Sequence, residues 1–251
     1  MPDAPASPTL HVHADLEQLS RACAERWGAL CSEAIAQRGA FHVALAGGST
    51  PRRLYALLAG DEFSPHTDWS RVHVYFGDER SVPPDHPDSN YRMAREQLLA
   101  HVPVPEEHIH PLLVTPESAE EDAAHYARTL RCNAPLGPDG IPHLDLMLLG
   151  VGPDGHTASL FPDTPILDEK SKLVAAVYVE RLQTWRVSMT FPVLNRARHL
   201  LFQAAGQEKA EVVGRLFGAS DERPPLPVQR LRPEGSVEWH VDHAAAAGVQ
   251  P

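Results

Sequence analysis

The segment GVGPDGHTASLFP, residues 150–162, places an acidic and an imidazole side chain in one glycine-rich loop. Asp154 and His156 stand two residues apart, directly after an apolar stretch that predicts a buried strand. An imidazole can accept and release a proton near neutral pH, which suits the activation of a water molecule. We therefore predict that His156 is a general base and that Asp154 orients it or supports its charge. The alternative for Asp154 is an ordinary turn aspartate.

A second loop, GGSTP at residues 47–51, joins an apolar run to a helical pattern. A serine nucleophile on a strand-to-helix turn needs a glycine two residues after it, where this chain has Pro51. The loop instead offers backbone N–H groups and two hydroxyls at a helix N-terminus, which suits a phosphate. It matches neither the P-loop nor the dinucleotide-binding pattern. We predict that Gly47, Gly48, Ser49 and Thr50 bind an anionic group, and a nucleophilic Ser49 is the less favoured alternative.

Positive side chains are the third feature of the predicted site, because a chain with a net charge of -11 must bind an anion through local cations. Lys209, one of three lysines against 19 arginines, falls in the first turn of a predicted helix, where a cation opposes the helix dipole. This placement suggests an anion partner, the alternative being a solvated lysine. Arg80, in GDER at 77–80, is predicted to bind the substrate or a developing oxyanion. Its alternative is a salt bridge to Asp78 or Glu79.

Alternating strand and helix patterns must position these loops. They predict an α/β fold with a doubly wound, mostly parallel sheet and helices on both faces, in a single domain. Ligands of such sheets bind beyond the carboxyl ends of the strands, where all three loops fall. The predicted strands are 41–46, 72–76, 144–149, 173–179, 186–190, 199–204 and 237–240. The predicted helices are one between an Asp15 cap and Gly39, followed by 51–59, 90–100, 117–132 and 208–217.

Composition excludes several classes of protein. The acidic charge argues against a nucleic-acid or anionic-membrane surface, and the apolar runs are too short to span a bilayer. Three cysteines without a CxxC spacing, and no basic or apolar leader at the start, favour a reduced, cytoplasmic protein. We expect one domain at 10–246, a disordered N-terminal tail at 1–9 and a C-terminal tail at 247–251. The HVH stretch at 11–13 is assigned to the N-terminal tail.

Five blocks, taken together, resemble one known family. GGSTP, GDER followed by HPDSNY, GVGPDGHTASLFP, RVSMTFPVLNRAR and GQEKA are similar to the signature blocks of the 6-phosphogluconolactonase family, in the same order over residues 10–245. The ending PVQRLRPEGSVEWHVDHAAA is also similar. One departure is Trp185, where that family is expected to have proline, and it affects only the shape of the local loop.

The resemblance implies a Rossmann-like fold that hydrolyses 6-phosphogluconolactone to 6-phosphogluconate in the pentose phosphate pathway without a cofactor. It implies a small-molecule substrate, no nucleic-acid or membrane partner, and a monomer or weak homodimer. Such hydrolysis needs an activated water and a stabilised oxyanion, and requires neither a covalent intermediate nor a metal. The implied site has His156, Asp154 and Arg80 at the lactone. The substrate-binding and phosphate-binding residues that it implies are Gly47, Gly48, Ser49, Thr50, Asp78, Arg186 and Lys209.

Three alternatives remain. Glucosamine-6-phosphate deaminases share the expected fold, but their block places a glutamate five residues after the histidine, where this chain has Phe161. A non-catalytic sugar-phosphate sensor is expected to append a DNA-binding module, for which this acidic chain has no room. A serine esterase is the weakest, because of Pro51.

Overall fold

Six strands form a wholly parallel central sheet in the computed structural model, which describes residues 8–218 and 223–249. The strand order is β1-β9-β8-β5-β2-β3, so the chain reverses direction across the sheet as doubly wound folds do. These strands are β1 (Thr9–His13), β2 (Phe41–Leu45), β3 (Val72–Phe76), β5 (Leu146–Gly150), β8 (His199–Ala204) and β9 (Ser236–Asp242). The remaining strands are β4 (Asp78–Arg80), β6 (Val174–Val179) and β7 (Thr184–Met189).

Helices cover the sheet, which is why the central strands read as apolar runs. The first four residues of β5, LMLL, are all buried. The helices are α1 (Leu16–Arg38), α2 (Ser49–Ala59), α3 (Asn90–Ala94, continued as a π-helical turn at Arg95–Leu99), α4 (Ala119–Asn133), α5 (Phe191–Leu194), α6 (Ala210–Phe217) and α7 (His243–Ala246). No helix within the described ranges is both long enough and apolar enough to cross a bilayer.

The ends of α1 follow the sequence signals. The Asp15 side chain accepts a hydrogen bond from the Gln18 amide at the N-terminus, as a capping aspartate does. Gly39 ends the helix in the left-handed region, with φ of 83°, and its N–H donates to the Ile35 carbonyl. Both predictions for this helix are confirmed.

A second, antiparallel sheet corrects part of the strand prediction. β6 and β7 do not extend the parallel sheet but form a hairpin, and β4 pairs with β7. The connection between β6 and β7 is only residues 180–183, whereas a parallel crossover needs a dozen or more residues. The short connection therefore forces the antiparallel pairing. We refer to β4, β6 and β7 as the small sheet.

The N-terminal strand is a second correction. Residues 11–13, assigned from sequence to a tail, lie in β1, which pairs in parallel with β9 at the sheet edge. A five-residue edge strand carrying two histidines gives little apolar signal, so its pattern was weak. The predicted domain limits stay a prediction, and residues 1–7 and 250–251 of the predicted tails lie outside the described residues.

Candidate active site

A cleft of about 220 Å³ opens at the carboxyl ends of the central strands. Because parallel strands end at one edge of a sheet, the loops after β2, β3 and β5 meet there, as predicted. Asp154 and Arg186 are absent from the cleft wall among the described residues, whereas Gln203 is a lining residue that the sequence did not indicate. The predicted residues that line the cleft are Gly47, Gly48, Ser49, Thr50, Asp78, Arg80, His156 and Lys209.

Asp154 holds the ring of His156. The Asp154 Oδ1 atom lies 2.5 Å from His156 Nδ1, so the hydrogen-bonded tautomer carries its proton on Nδ1 and leaves Nε2 as the free nitrogen. Arg181, on the turn between β6 and β7, donates to Asp154 Oδ2 at 2.5 Å. Burial alone would raise the pKa of Asp154, but the His156 hydrogen bonds and the nearby positive groups outweigh it and lower that pKa to about 2. Asp154 is therefore an anion at neutral pH.

Backbone and packing fix the same ring from other sides. A Cβ atom on Gly152 would lie 2.0 Å from His156 Nδ1, so only glycine lets the loop pass beside the imidazole. Phe161, which is 5% exposed, packs against the ring with centroids 4.2 Å apart. The Arg181 guanidinium lies over the Phe161 ring, 5.0 Å from its centroid. His156 is thus oriented by a carboxylate, an aromatic ring and a bare stretch of backbone.

The start of α2 offers unoccupied backbone donors to the cleft. Gly48 precedes the helix with φ of 100°, a conformation that favours glycine. No side chain caps the helix and its first turn holds no acidic residue, so the N-terminal amides and the positive end of the dipole stay available to an anion. Ser49 and Thr50 lie in that first turn and line the cleft. This arrangement suits a phosphate.

Three cations near the cleft have no carboxylate partner within the described part of the chain. Arg80 donates to the Asp88 carbonyl, so the alternative of a salt bridge to Asp78 or Glu79 is not observed. Arg186 lies directly opposite Arg80 across the β4–β7 pair, and like charges in that position repel. Burial and then the Arg80 charge lower the pKa of Arg186. Lys209 stands just before α6, at the cleft wall. An anion would relieve this concentration of positive charge.

Asp78 and Glu79 hold the segments around the cleft in place through hydrogen bonds. Asp78 Oδ2 accepts from the Ser159 hydroxyl at 2.6 Å, which ties the small sheet to the loop after β5. Glu79 is 2% exposed and accepts from the amides of Arg80 and Asn90, and also from Tyr91 and Ser89. Its oxygens are therefore fully used in holding the start of α3, and it does not line the cleft.

Arg181, like Gln203, is a residue of this site that sequence reasoning missed. It lies 27 residues from Asp154 along the chain, on a turn whose residue types resemble those of many exposed turns. Its place depends on the β6–β7 hairpin folding toward the loop after β5. No local signal in the sequence points to that contact.

Comparison with known proteins finds sequence matches over most of the chain. The sequence profile described as glucosamine-6-phosphate isomerases/6-phosphogluconolactonase matches residues 14–239. The 6-phosphogluconolactonase of Synechocystis sp. is 39% identical over 220 residues, which are 88% of this chain and 89% of that protein. The human 6-phosphogluconolactonase is 40% identical over 235 residues, covering 87% of this chain and 88% of its own length.

Solved structures give the same picture. The 6-phosphogluconolactonase of Trypanosoma brucei superposes with a TM-score of 0.85 at 33% identity, over 97% of this chain and 99% of that one. A monomeric glucosamine-6-phosphate deaminase superposes with a TM-score of 0.78 at 18% identity, over 95% of this chain and 99% of its own. At that identity the second likeness shows the fold alone.

Proposed function

We infer, from the premise that this chain belongs to the glucosamine-6-phosphate isomerase/6-phosphogluconolactonase family, that it hydrolyses 6-phospho-D-glucono-1,5-lactone to 6-phospho-D-gluconate. The curated relatives described above carry the lactonase name and match most of the chain. The reaction belongs to the oxidative pentose phosphate pathway.

His156 is the general base of the proposed mechanism. Its Nε2 atom takes a proton from a water molecule while the water oxygen attacks C1 of the lactone. Asp154, anionic and bonded to Nδ1, stabilises the imidazolium that forms. The carbonyl oxygen becomes an oxyanion, and its collapse breaks the bond between C1 and the ring oxygen. The imidazolium then returns the proton to that ring oxygen, which becomes a hydroxyl of the product.

Positive groups at two positions support binding of the substrate. Arg80 is on the small sheet and lines the cleft, where it can stabilise the lactone oxyanion. The first turn of α2 and Lys209 can bind the phosphate through amides, hydroxyls and an ammonium. Ser49 binds in this scheme and does not attack, because Pro51 stands where a nucleophile elbow needs glycine.

The observation that carries the lactonase mechanism is the Asp154–His156 pair beside Phe161. An apolar ring packs on the imidazole at the position where the deaminase pattern has a glutamate. The site therefore holds a base for water and lacks, at that position, a carboxyl group for opening an amino sugar. This arrangement favours hydrolysis of a lactone over deamination.

Replacement of the base tests the mechanism. His156→Asn keeps a similar size but removes the titratable nitrogen, so kcat should fall about 10²–10⁴-fold, while affinity for 6-phosphogluconate changes little. The measurement is hydrolysis of freshly generated lactone coupled to 6-phosphogluconate dehydrogenase, corrected for spontaneous hydrolysis. His243→Asn, at an exposed histidine on α7, is the matched control. A corrected His156→Asn rate within a few-fold of wild type would refute this assignment.

The cellular setting and assembly state are also proposed. We expect a cytoplasmic enzyme that is a monomer or weak homodimer and acts on a small phosphorylated lactone, without a nucleic-acid or membrane partner. The cysteines support a reducing compartment, since Cys23, Cys31 and Cys132 are all unpaired.

A further inference from the structure

Metal-binding side chains lie together on β1 and β9, on residues that the proposed reaction does not use. His11 pairs in register with His240, and Glu238 lies two residues before His240, on the same face of its strand. One ligand atom from each of these three residues lies within 4.8 Å of the other two. His13, two residues after His11, brings its Nε2 to 3.1 Å from His240 Nδ1. The sheet edge thus carries a cluster of three imidazoles and one carboxylate.

His240 is the central member of the cluster. It is 4% exposed, and its Nε2 atom has no hydrogen-bond partner. The nearest carboxylate oxygen, Glu238 Oε2, is 3.8 Å away, which exceeds hydrogen-bond range. The other ring nitrogen is held by His13. Metal-binding histidines show this division of labour, in which one nitrogen is fixed by a neighbouring group while the other binds the ion.

We propose that His11, Glu238 and His240 form a binding site for a divalent transition-metal ion of the zinc type. Two imidazoles and a carboxylate match the ligands of zinc, whereas calcium and magnesium prefer oxygen alone. Zinc needs ligand bonds of about 2.0–2.2 Å, so its ligand atoms must approach one another to roughly 3.3 Å. His11 lies on the edge strand and is partly exposed, so its ring can turn out of its stack on the His240 ring, where the centroids are 4.8 Å apart, to bring a nitrogen to the ion. A fourth position remains for water.

Arg26 on α1 opposes this site and gives the proposal its sharpest test. Its Nε and Nη2 atoms donate to Glu238 Oε1 at 2.9 and 2.6 Å. A metal ion must share that carboxylate with the guanidinium and is repelled by its charge. Loss of a ligand should therefore weaken metal binding, whereas loss of Arg26 should strengthen it. A cluster that only packs the sheet edge would not respond in opposite directions.

The experiment is isothermal titration calorimetry, in which ZnCl₂ is added to the metal-free, full-length protein. His11→Ala and His240→Gln should each weaken the affinity at least tenfold, and Arg26→Gln should strengthen it several-fold. Two controls separate the site from the background of 15 histidines and from bulk charge. His243→Gln removes an exposed histidine, and Arg92→Gln removes a guanidinium that pairs with Glu96 elsewhere. Neither control should change the affinity by more than twofold.

A second measurement, the visible absorption of bound Co²⁺, reports on the ligands directly. Co²⁺ in place of Zn²⁺ should give visible absorption of a four-coordinate or five-coordinate ion in wild type, and His11→Ala should abolish it. Circular dichroism and lactone hydrolysis, which should be retained, show whether each variant is folded, and they keep this test independent of the proposed function. If His11→Ala and Arg26→Gln leave Zn²⁺ affinity unchanged, the proposal is wrong and the ion binds at surface histidines.

Discussion

Asp154 contacts both His156 and Arg181, and we expect the two contacts to contribute differently to catalysis. The His156 hydrogen bond sets the tautomer of the base, so Asp154→Asn should lower kcat by about 10²–10⁴-fold. Arg181 is half-exposed, and ion pairs of that kind contribute at most about 1 kcal/mol. Arg181→Gln should therefore lower kcat by roughly fivefold or less, with KM unchanged. Steady-state kinetics of both variants checks this order, and Arg181→Lys, which keeps the charge, is the control. Equal losses of kcat in Asp154→Asn and Arg181→Gln would contradict this order.

Lys209 is a second single residue whose role can be tested, because its predicted contact with the phosphate depends on one ammonium group. Lys209→Ala should weaken 6-phosphogluconate binding far more than gluconate binding, since gluconate lacks the phosphate. A charge-assisted hydrogen bond contributes roughly 1.5–3 kcal/mol, which corresponds to about a tenfold to hundredfold loss. Competitive inhibition by each compound gives the two affinities. Lys170→Ala, at an exposed lysine, is the control. Equal effects on both compounds would show that Lys209 does not bind the phosphate.

At the scale of the element, the backbone of the loop after β5 positions His156, the proposed base. A Cβ on Gly152 would also lie 2.6 Å from Asp154 Oδ1, so Gly152→Ala must displace the Asp154–His156 pair. A shift of about 1 Å can cost on the order of a hundredfold in rate, so kcat should fall about tenfold to hundredfold while the melting temperature changes little. Gly28→Ala, on α1 and outside the cleft wall, is the control, since no atom lies within 4 Å of its added Cβ. Similar kinetics in the two variants would refute this view of the loop.

Local patterns were enough to predict most strands of the parallel sheet, and also β6 and β7 as strands, but not β4 or the antiparallel pairing of the small sheet. The strand at β3 and the strand at β8 were predicted at their observed limits, because apolar runs between turn signals define them. β4 has only three residues, DER, with no apolar pattern at all. Its pairing with β7 depends on where the hairpin lies in space. The contact of Arg181 with Asp154 was hidden for the same reason, whereas the clustering of the three loops followed from parallel topology.

At the scale of the whole molecule, the stacked histidines should make stability depend on pH. His42, His73, His108 and His110 stack beside Tyr75, with the His73 and His108 centroids 3.8 Å apart. Burial, and then the neighbouring imidazoles, lower the pKa of His42 to about 3 and that of His73 to about 4. The unfolded chain binds protons on these groups near their ordinary pKa of ~6.5. The free energy of unfolding should therefore fall as pH drops from ~6.5 towards 4.

The size of that fall can be measured. Each histidine that binds a proton only on unfolding contributes a slope of up to about 1.4 kcal/mol per pH unit. Urea denaturation at several pH values between 7.5 and 4.5 gives the slope. The double variant His42→Gln/His73→Gln should flatten it relative to wild type, while His243→Gln should not. An unchanged slope in the double variant would show that these rings do not account for acid sensitivity.

Under the proposed mechanism, the small sheet would couple catalysis to substrate recognition as this enzyme evolves. Its hairpin turn carries Arg181, which donates to Asp154 beside the proposed base, and its strands carry Arg80 and Arg186. A substitution or insertion that tilts this three-stranded unit changes the base and the anion-binding charges together. Selection for a new substrate therefore cannot adjust the strands without also retuning the proton transfer. Insertions elsewhere, such as in the loops at the amino ends of the parallel strands, escape that double constraint.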